Sequence, residues 1–133
     1  MKTDLNKTLE QLEKNVWLDP GHDSYLVMTV YQLRKKPLKD FTIEDLRITI
    51  GQNMSLEYLM PIALKELKKN ILAEGHFNPG DLLSNVLTVD INYWKKNENE
   101  WRMLRELVHQ NKFRFTDKEF AHYIKTIEQT NID

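Results

Sequence analysis

The chain has 133 residues, and a domain of this size can bury roughly two-thirds of its unfolded surface without disulfides or metals. It contains no cysteine, which excludes disulfide bonds and thiolate catalysis and is typical of a reducing compartment. Lysine and arginine number 19 against 20 aspartate and glutamate, so the basic excess that a phosphate backbone requires is missing. We expect one cytoplasmic domain over residues 1–133, and we do not expect nucleic acid as its partner.

The N-terminal segment MKTDLNKTLEQLEKN interleaves charges and amides with leucines and contains no apolar core of a signal peptide. No apolar run in the chain approaches the roughly 20 residues of a membrane-spanning helix. We therefore expect a protein that is neither exported by such a signal nor bound to a membrane.

The first predicted helix rests on four apolar residues with helical spacing: Leu5, Leu9, Leu12 and Val16. Thr3 or Asp4 would open this helix, because both side chains are good N-caps, and Asp19-Pro20-Gly21 would end it.

The next segment, Tyr25 to Leu33, is ambiguous, because its β-branched and aromatic residues suit a buried strand whereas its length suits a buried helix. Pro37 follows a turn rich in lysine and arginine, which is a usual helix stop. We expect a helix.

A third helix should begin at Thr42, where Asp45 three residues on completes a weak capping box, and should end at Gly51. Its apolar face contains Ile43, Leu46 and Ile50.

Ser55 should cap the fourth helix, whose apolar stripe contains Leu56, Leu59, Ala63, Leu64, Leu67 and Ile71. Pro61 falls on its second turn, where the ring would meet the carbonyl of Glu57. Either the helix is kinked there, or residues 55–60 form a separate turn with Pro61 at the first helical position. Asn70 and Gly75 offer the stop.

A fifth helix should begin at Pro79, with the Asp81 carboxylate near the unpaired amides of its first turn. Further helices are expected around Ile91 to Lys96, through Trp101 to Val108, and after the capping box Thr116 to Glu119. The sequence therefore predicts an all-α protein, a compact orthogonal bundle of about six to eight helices.

Catalytic residue patterns are missing. The four histidines, His22, His76, His109 and His122, have no partner at diagnostic spacing, and the ExxH pair from Glu119 to His122 stands alone. Glu10 and Glu13 lie one turn apart without apolar surroundings that would raise one pKa. We expect no metal, no cofactor and no enzymatic activity; a site built from His109, His122 and Glu119 is the best alternative.

Charge is distributed unevenly along the chain. Residues 70–94 contain Glu74, Asp81 and Asp90 but no lysine or arginine, so they form either an acidic patch or separate solvated side chains. A basic cluster lies in the first third of the chain: Arg34, Lys35, Lys36 and Lys39.

The pair Tyr93-Trp94 follows the acidic stretch and precedes a polar turn, where a ring would be half exposed and able to anchor a partner. The alternative is a wedge of aromatic rings between helices.

The central block resembles the immunity proteins of bacterial contact-dependent growth inhibition systems, in one of their helical families. The residues that carry the resemblance are Leu46-Arg47, Gly51-Gln52, Tyr58-Leu59, Pro61, Ala63-Leu64, Asn70, Gly75 and Pro79-Gly80-Asp81-Leu82-Leu83. The segment from Asp23 to Leu38 also fits, so the resemblance covers Trp17 to Trp94 and leaves Lys95 to Asp133 unmatched.

The resemblance implies a non-enzymatic cytosolic protein that binds the C-terminal domain of a cognate toxin. It makes four residues candidate toxin contacts: Glu74, Asp81, Asp90 and Trp94. It gives a structural role to Gly51, Gln52, Pro61, Gly75, Pro79, Gly80 and Asp81, with Gln52 expected as a buried amide that ties the Gly51 turn to the next helix. The toxin's activity and the oligomeric state stay open.

The second hypothesis is a helical regulator or adaptor that uses the basic cluster, from Arg34 to Lys39, on nucleic acid or an acidic protein.

Overall fold

A computed structural model describes residues 2–130, in which eight α-helices and two short 3-10 helices surround one hydrophobic core and no strand occurs. The α-helices are α1 (Leu9–Glu13), α2 (Tyr25–Leu33), α3 (Ile43–Gly51), α4 (Leu56–Lys69), α5 (Asp81–Leu87), α6 (Ile91–Lys96), α7 (Glu98–Gln110) and α8 (Asp117–Gln129). The predicted all-α bundle is confirmed, with a helix count at the upper end of the predicted range. Every helix within residues 2–130 is too short or too polar to cross a membrane.

The core is centred on α4, which packs against α3, α5 and α7. Its largest fully buried side chains include Leu59, Met60, Leu67, Leu82, Leu83, Trp94 and Leu104. Burial of each such side chain stabilises the fold by about 1.5–3 kcal/mol, which makes this cluster the main source of stability.

The N-terminal helix is much shorter than predicted. Thr8 caps α1 in a capping box with Gln11, and Lys14 ends the helix in the left-handed conformation with φ of 53°. Leu5 and Val16 therefore lie outside the helix and are exposed. The prediction was wrong because apolar spacing alone does not reveal a cap inside the periodic run.

Three other local predictions are confirmed. Tyr25 to Leu33 is a helix, and the capping boxes Thr42–Asp45 and Thr116–Glu119 open α3 and α8.

Pro61 lies inside α4, which is one continuous α-helix, so the separate turn before Pro61 is excluded. Ser55 occupies the N-cap position with a left-handed φ of 54°, and its hydroxyl does not cap the helix. The hydroxyl instead donates a hydrogen bond of 3.1 Å to Oε2 of Glu13.

The fifth helix begins at Asp81, two residues later than predicted, so Pro79 is not its first residue. Gly80 has a φ of 87° and turns the chain into α5, a conformation that other residues adopt only with strain. The Asp81 carboxylate was expected near the first-turn amides of α5, but it accepts hydrogen bonds from amides of the loop before the helix.

Candidate functional site

A surface cleft of about 460 Å³ lies where α2, α3 and the loop before α5 meet. We call it the aromatic cleft; its lining includes Tyr25, Leu26, Glu44, Arg47, His76 and Phe77. It combines an ion pair at its base with exposed rings at its rim.

Glu44 and Arg47, one turn apart on α3, form a bidentate ion pair at the base of the cleft. Arg47 donates from Nε to Oε1 at 2.7 Å and from Nη2 to Oε2 at 2.6 Å. Their side chains are only 11% and 15% exposed. The Arg47 hydrogen bond lowers the pKa of Glu44, although burial opposes it, and the same bond raises the pKa of Arg47.

Three consecutive backbone amides before α5 are held by two carboxylates. Asp81 accepts from Gly75 N at 2.7 Å and from Phe77 N at 3.1 Å, and Glu44 accepts from His76 N at 2.9 Å. Hydrogen bonds to charged acceptors are stronger than neutral ones, so the backbone of this loop is firmly fixed to α3 and α5.

Gly75 permits this arrangement because it has no side chain. A Cβ built there would lie 2.5 Å from Oε1 of Glu44 and 3.1 Å from Oδ2 of Asp81. A substituted residue would push the carboxylates away from the amides that they bind.

The side chains that follow Gly75 point away from this fixed backbone. His76 is 73% exposed and Phe77 is 70% exposed. The Phe77 ring lies 4.3 Å below the Arg47 guanidinium, and Tyr25 on the α2 side of the cleft is 77% exposed. Such a surface is suited to binding, since aromatic rings on a rigid backbone lose little freedom when a partner docks.

The amide that ties α3 to α5 is Asn85, which donates from Nδ2 to the carbonyl of Arg47 at 2.9 Å. Asn85 also lies so close to Gly51 that an added Cβ there would stand 2.7 Å from it. Gln52 is exposed, so the prediction that it supplies a buried tying amide was wrong. Its exposed neighbour Asn53 links this turn to the start of α6, because Oδ1 of Asn53 accepts from Asp90 N at 2.7 Å.

The four predicted contact residues divide into two groups. Glu74 and Asp90 are exposed. Asp81 is 7% exposed and occupied by the loop amides, and Trp94 is completely buried with its ring 5.2 Å from that of Trp101. The expectation of a half-exposed ring at Trp94 was therefore wrong, and the ring belongs to an aromatic wedge between helices. Asp81 holds the loop before α5 within the fold.

Most side chains of the basic cluster form ion pairs with other residues of the same chain. Arg34 is 3% exposed, donates to the carbonyl of Asn15 at 2.7 Å and stacks on Trp17 at 4.6 Å. Three of its four members form ion pairs: Arg34 with Glu13, Lys35 with Glu10 at 3.1 Å, and Lys36 with Asp45 at 2.6 Å. Glu10 and Glu13 are thus both ion-pair partners of cations within the fold.

A second cleft, of about 510 Å³, lies between α4, α6 and α7 and is lined by Glu57, Pro61, Tyr93, Lys96, Asn97 and Glu100. The Tyr93 hydroxyl donates a hydrogen bond to Oε1 of Glu100. Burial, aided by this carboxylate, raises the pKa of Tyr93, so its hydroxyl stays a donor rather than becoming a base.

The alternative catalytic residues near the C-terminus are also engaged. Glu119 accepts from Thr116 N at 2.8 Å in the capping box, and the His109 ring packs edge-on against Phe120. Within residues 2–130, no three histidine or carboxylate side chains are grouped so as to hold a metal ion.

In a comparison with known families, the model of a family described as CDI immunity proteins matches residues 11–104. The match extends beyond the resemblance seen in the sequence at both ends and includes all elements that form the aromatic cleft. No curated protein and no solved structure matches the chain.

Proposed function

This chain belongs to the family of CDI immunity proteins, and we propose that it binds the C-terminal domain of its cognate toxin and neutralises it in the cytoplasm without catalysing a reaction. The family match over residues 11–104 carries this proposal, since it covers most of the chain rather than one short motif.

The physical character of the molecule supports inhibition by binding. Its buried charged side chains, such as Arg34 and Glu44, are engaged in ion pairs, and its helices pack around one hydrophobic core. A scaffold of this kind holds its surface in one shape, so a partner docks without a large ordering cost. The toxin would be blocked by a protein that covers its active site or the path of its substrate.

Glu74 and Asp90 remain proposed toxin contacts, because both are exposed and anionic. Exposed carboxylates around an interface mainly raise the association rate with a cationic partner. Asp81 and Trp94 are assigned to the fold instead, where they hold a loop and fill the core.

The test is co-expression with the C-terminal domain of a toxin encoded beside this chain, or with a panel of related toxin domains if none is adjacent. We expect cells that express the toxin domain to grow only when this protein is also present, and a tagged toxin domain to retain this protein from the cytoplasmic fraction. A toxin domain from an unrelated system is the specificity control. Continued growth arrest with no complex would overturn the proposal.

The amount of this protein that is needed for protection distinguishes inhibition by binding from protection by an enzymatic reaction. An inhibitor that acts by binding protects only when it is at least equimolar with the toxin, whereas an enzyme would protect at a small fraction of that amount. A variant with His109→Ala, His122→Ala and Glu119→Gln should protect at the same dose as the unchanged chain. Loss of protection by a folded triple variant would overturn the non-enzymatic part of the proposal.

A further inference from the structure

We propose that the aromatic cleft is the surface that receives the toxin, and that its occupant is a cationic segment whose lysine or arginine side chains pack on Tyr25 and Phe77. This inference rests on the proposed function and adds the place and the chemistry of the contact.

Exposed aromatic rings are concentrated at this cleft. Of the phenylalanine, tyrosine and tryptophan side chains described, Tyr25, Phe77 and Phe113 are the exposed ones, at 77%, 70% and 82%. Two of these three line the aromatic cleft, together with the partly exposed Leu26. Grouped exposed apolar side chains cost solubility, and they are usual where a partner covers them.

The Phe77 ring is carried by backbone that is unusually well held. The amides of Gly75, His76 and Phe77 all donate to carboxylates, and the guanidinium of Arg47 lies 4.3 Å from the centre of the Phe77 ring. Three buried or nearly buried charged groups thus position a loop whose own side chains face solvent. Fixing an exposed loop in this way lowers the entropy cost of docking on it.

Charge determines the kind of partner. Residues 16–33 and 70–94, which supply both rings, contain no lysine or arginine, and four of their five acidic residues are exposed, Asp81 being the buried one. The cation that lines the cleft, Arg47, is neutralised by Glu44 and lies 3.8 Å from Asp81. Asp23 and Glu74, which lie two and three residues before the two rings in the sequence, are exposed, and their carboxylates complement a basic surface.

Aromatic faces next to carboxylates favour cationic side chains in particular. A lysine or arginine over a ring is attracted by its quadrupole, and the contact strengthens when water is excluded from it. Arg47 already occupies one face of Phe77 in this manner. A cation of the toxin would use the exposed Tyr25 ring and the open side of Phe77.

The test measures affinity for the purified toxin C-terminal domain, recovered from the co-expressed complex, by isothermal titration calorimetry. Tyr25→Ala and Phe77→Ala should each weaken binding by at least about 10-fold, the size of effect usual for a central aromatic contact. Phe113→Ala removes an equally exposed ring that does not line the cleft, and it should bind as the unchanged chain does.

Charge is tested separately from the rings. Glu74→Lys and Asp23→Lys should slow association in stopped-flow measurements and make it less sensitive to salt, whereas Glu128→Lys on α8 should not. Circular dichroism confirms that each variant is folded.

The outcomes are separable. If the unchanged chain does not bind the toxin domain, the proposed function fails and this inference fails with it. If it binds but Tyr25→Ala and Phe77→Ala bind equally well, only the docking surface is overturned. A second copy of this chain is the other possible occupant of the cleft, and sedimentation equilibrium tests it. If the unchanged chain is a dimer and Phe77→Ala is a monomer, the cleft binds a second copy and the proposal is overturned.

Discussion

Glu44 and Gly75, which are far apart in the sequence, are in direct contact in the fold. The Glu44 carboxylate approaches so closely that a Cβ on Gly75 would lie 2.5 Å from Oε1 and 3.3 Å from the Glu44 Cα. Because the second of these atoms is backbone, the clash cannot be relieved by moving a side chain alone. The fixed position of the loop that carries His76 and Phe77 depends on this contact.

Gly75→Ala should therefore lower the free energy of unfolding by about 1–3 kcal/mol, since the substitution separates a carboxylate from the amides that it binds. Urea denaturation followed by circular dichroism measures the change. Ser84→Ala, at an exposed position on α5, should change stability by less than about 0.5 kcal/mol. Equal stability of Gly75→Ala and the unchanged chain would contradict the loop geometry.

Glu44→Gln should remove a pH-dependent part of the stability. The Arg47 hydrogen bond lowers the pKa of Glu44 in the folded protein below its ordinary value of 4.5. A carboxyl with a lowered folded pKa stabilises the fold above its unfolded pKa, and that contribution is lost as the pH falls through the folded pKa.

The stability difference between the unchanged chain and Glu44→Gln should thus be largest near neutral pH and shrink as the pH is lowered below 4.5. Urea midpoints measured between neutral and acidic pH test this. Glu128→Gln, at an exposed site on α8, serves as the comparison. A stability difference that stays constant with pH would show that the ion pair with Arg47 has no such effect.

Arg34 and Lys39 should behave differently although both belong to the basic cluster. Arg34→Ala leaves Glu13 without its cation. We expect this to lower the free energy of unfolding by about 2–3 kcal/mol, less than for a fully buried pair, because Glu13 is still 26% exposed. Lys39→Ala, at an exposed site, should cost less than about 0.5 kcal/mol.

Gel-shift assays with DNA and RNA at low salt complete this test, and we expect no complex, because most charges of the cluster are already paired. Tight nucleic acid binding that is lost in Lys39→Ala would instead support the regulator hypothesis.

Pro61→Ala should stabilise the protein by about 1–3 kcal/mol. Pro61 is exposed inside α4, and alanine would supply the missing N–H to the carbonyl of Glu57. Thermal unfolding measures the gain. A lower melting temperature would mean that the proline ring, which lines the second cleft, contributes more by packing than it costs in hydrogen bonding.

The candidate site was only partly predictable. The family resemblance identified Gly75 and Asp81 as structural, and the structure explains why both are needed at the loop. The resemblance also made Trp94 a candidate toxin contact, yet that ring is buried. It did not single out Tyr25 or Phe77, which are exposed. The residues next to an aromatic side chain in the sequence do not show whether its ring is buried, because burial depends on which helices pack over it.

The sequence by itself determined the helical class and most helix positions, because apolar spacing and capping boxes act within a few residues. Thr42–Asp45 and Thr116–Glu119 are examples, since each pair bonds across a single turn. Only the tertiary structure decided which polar residues are internal. The bonds from Arg34 to Glu13 and from His76 to Glu44 span 21 and 32 residues, and such partners meet only after the helices have packed.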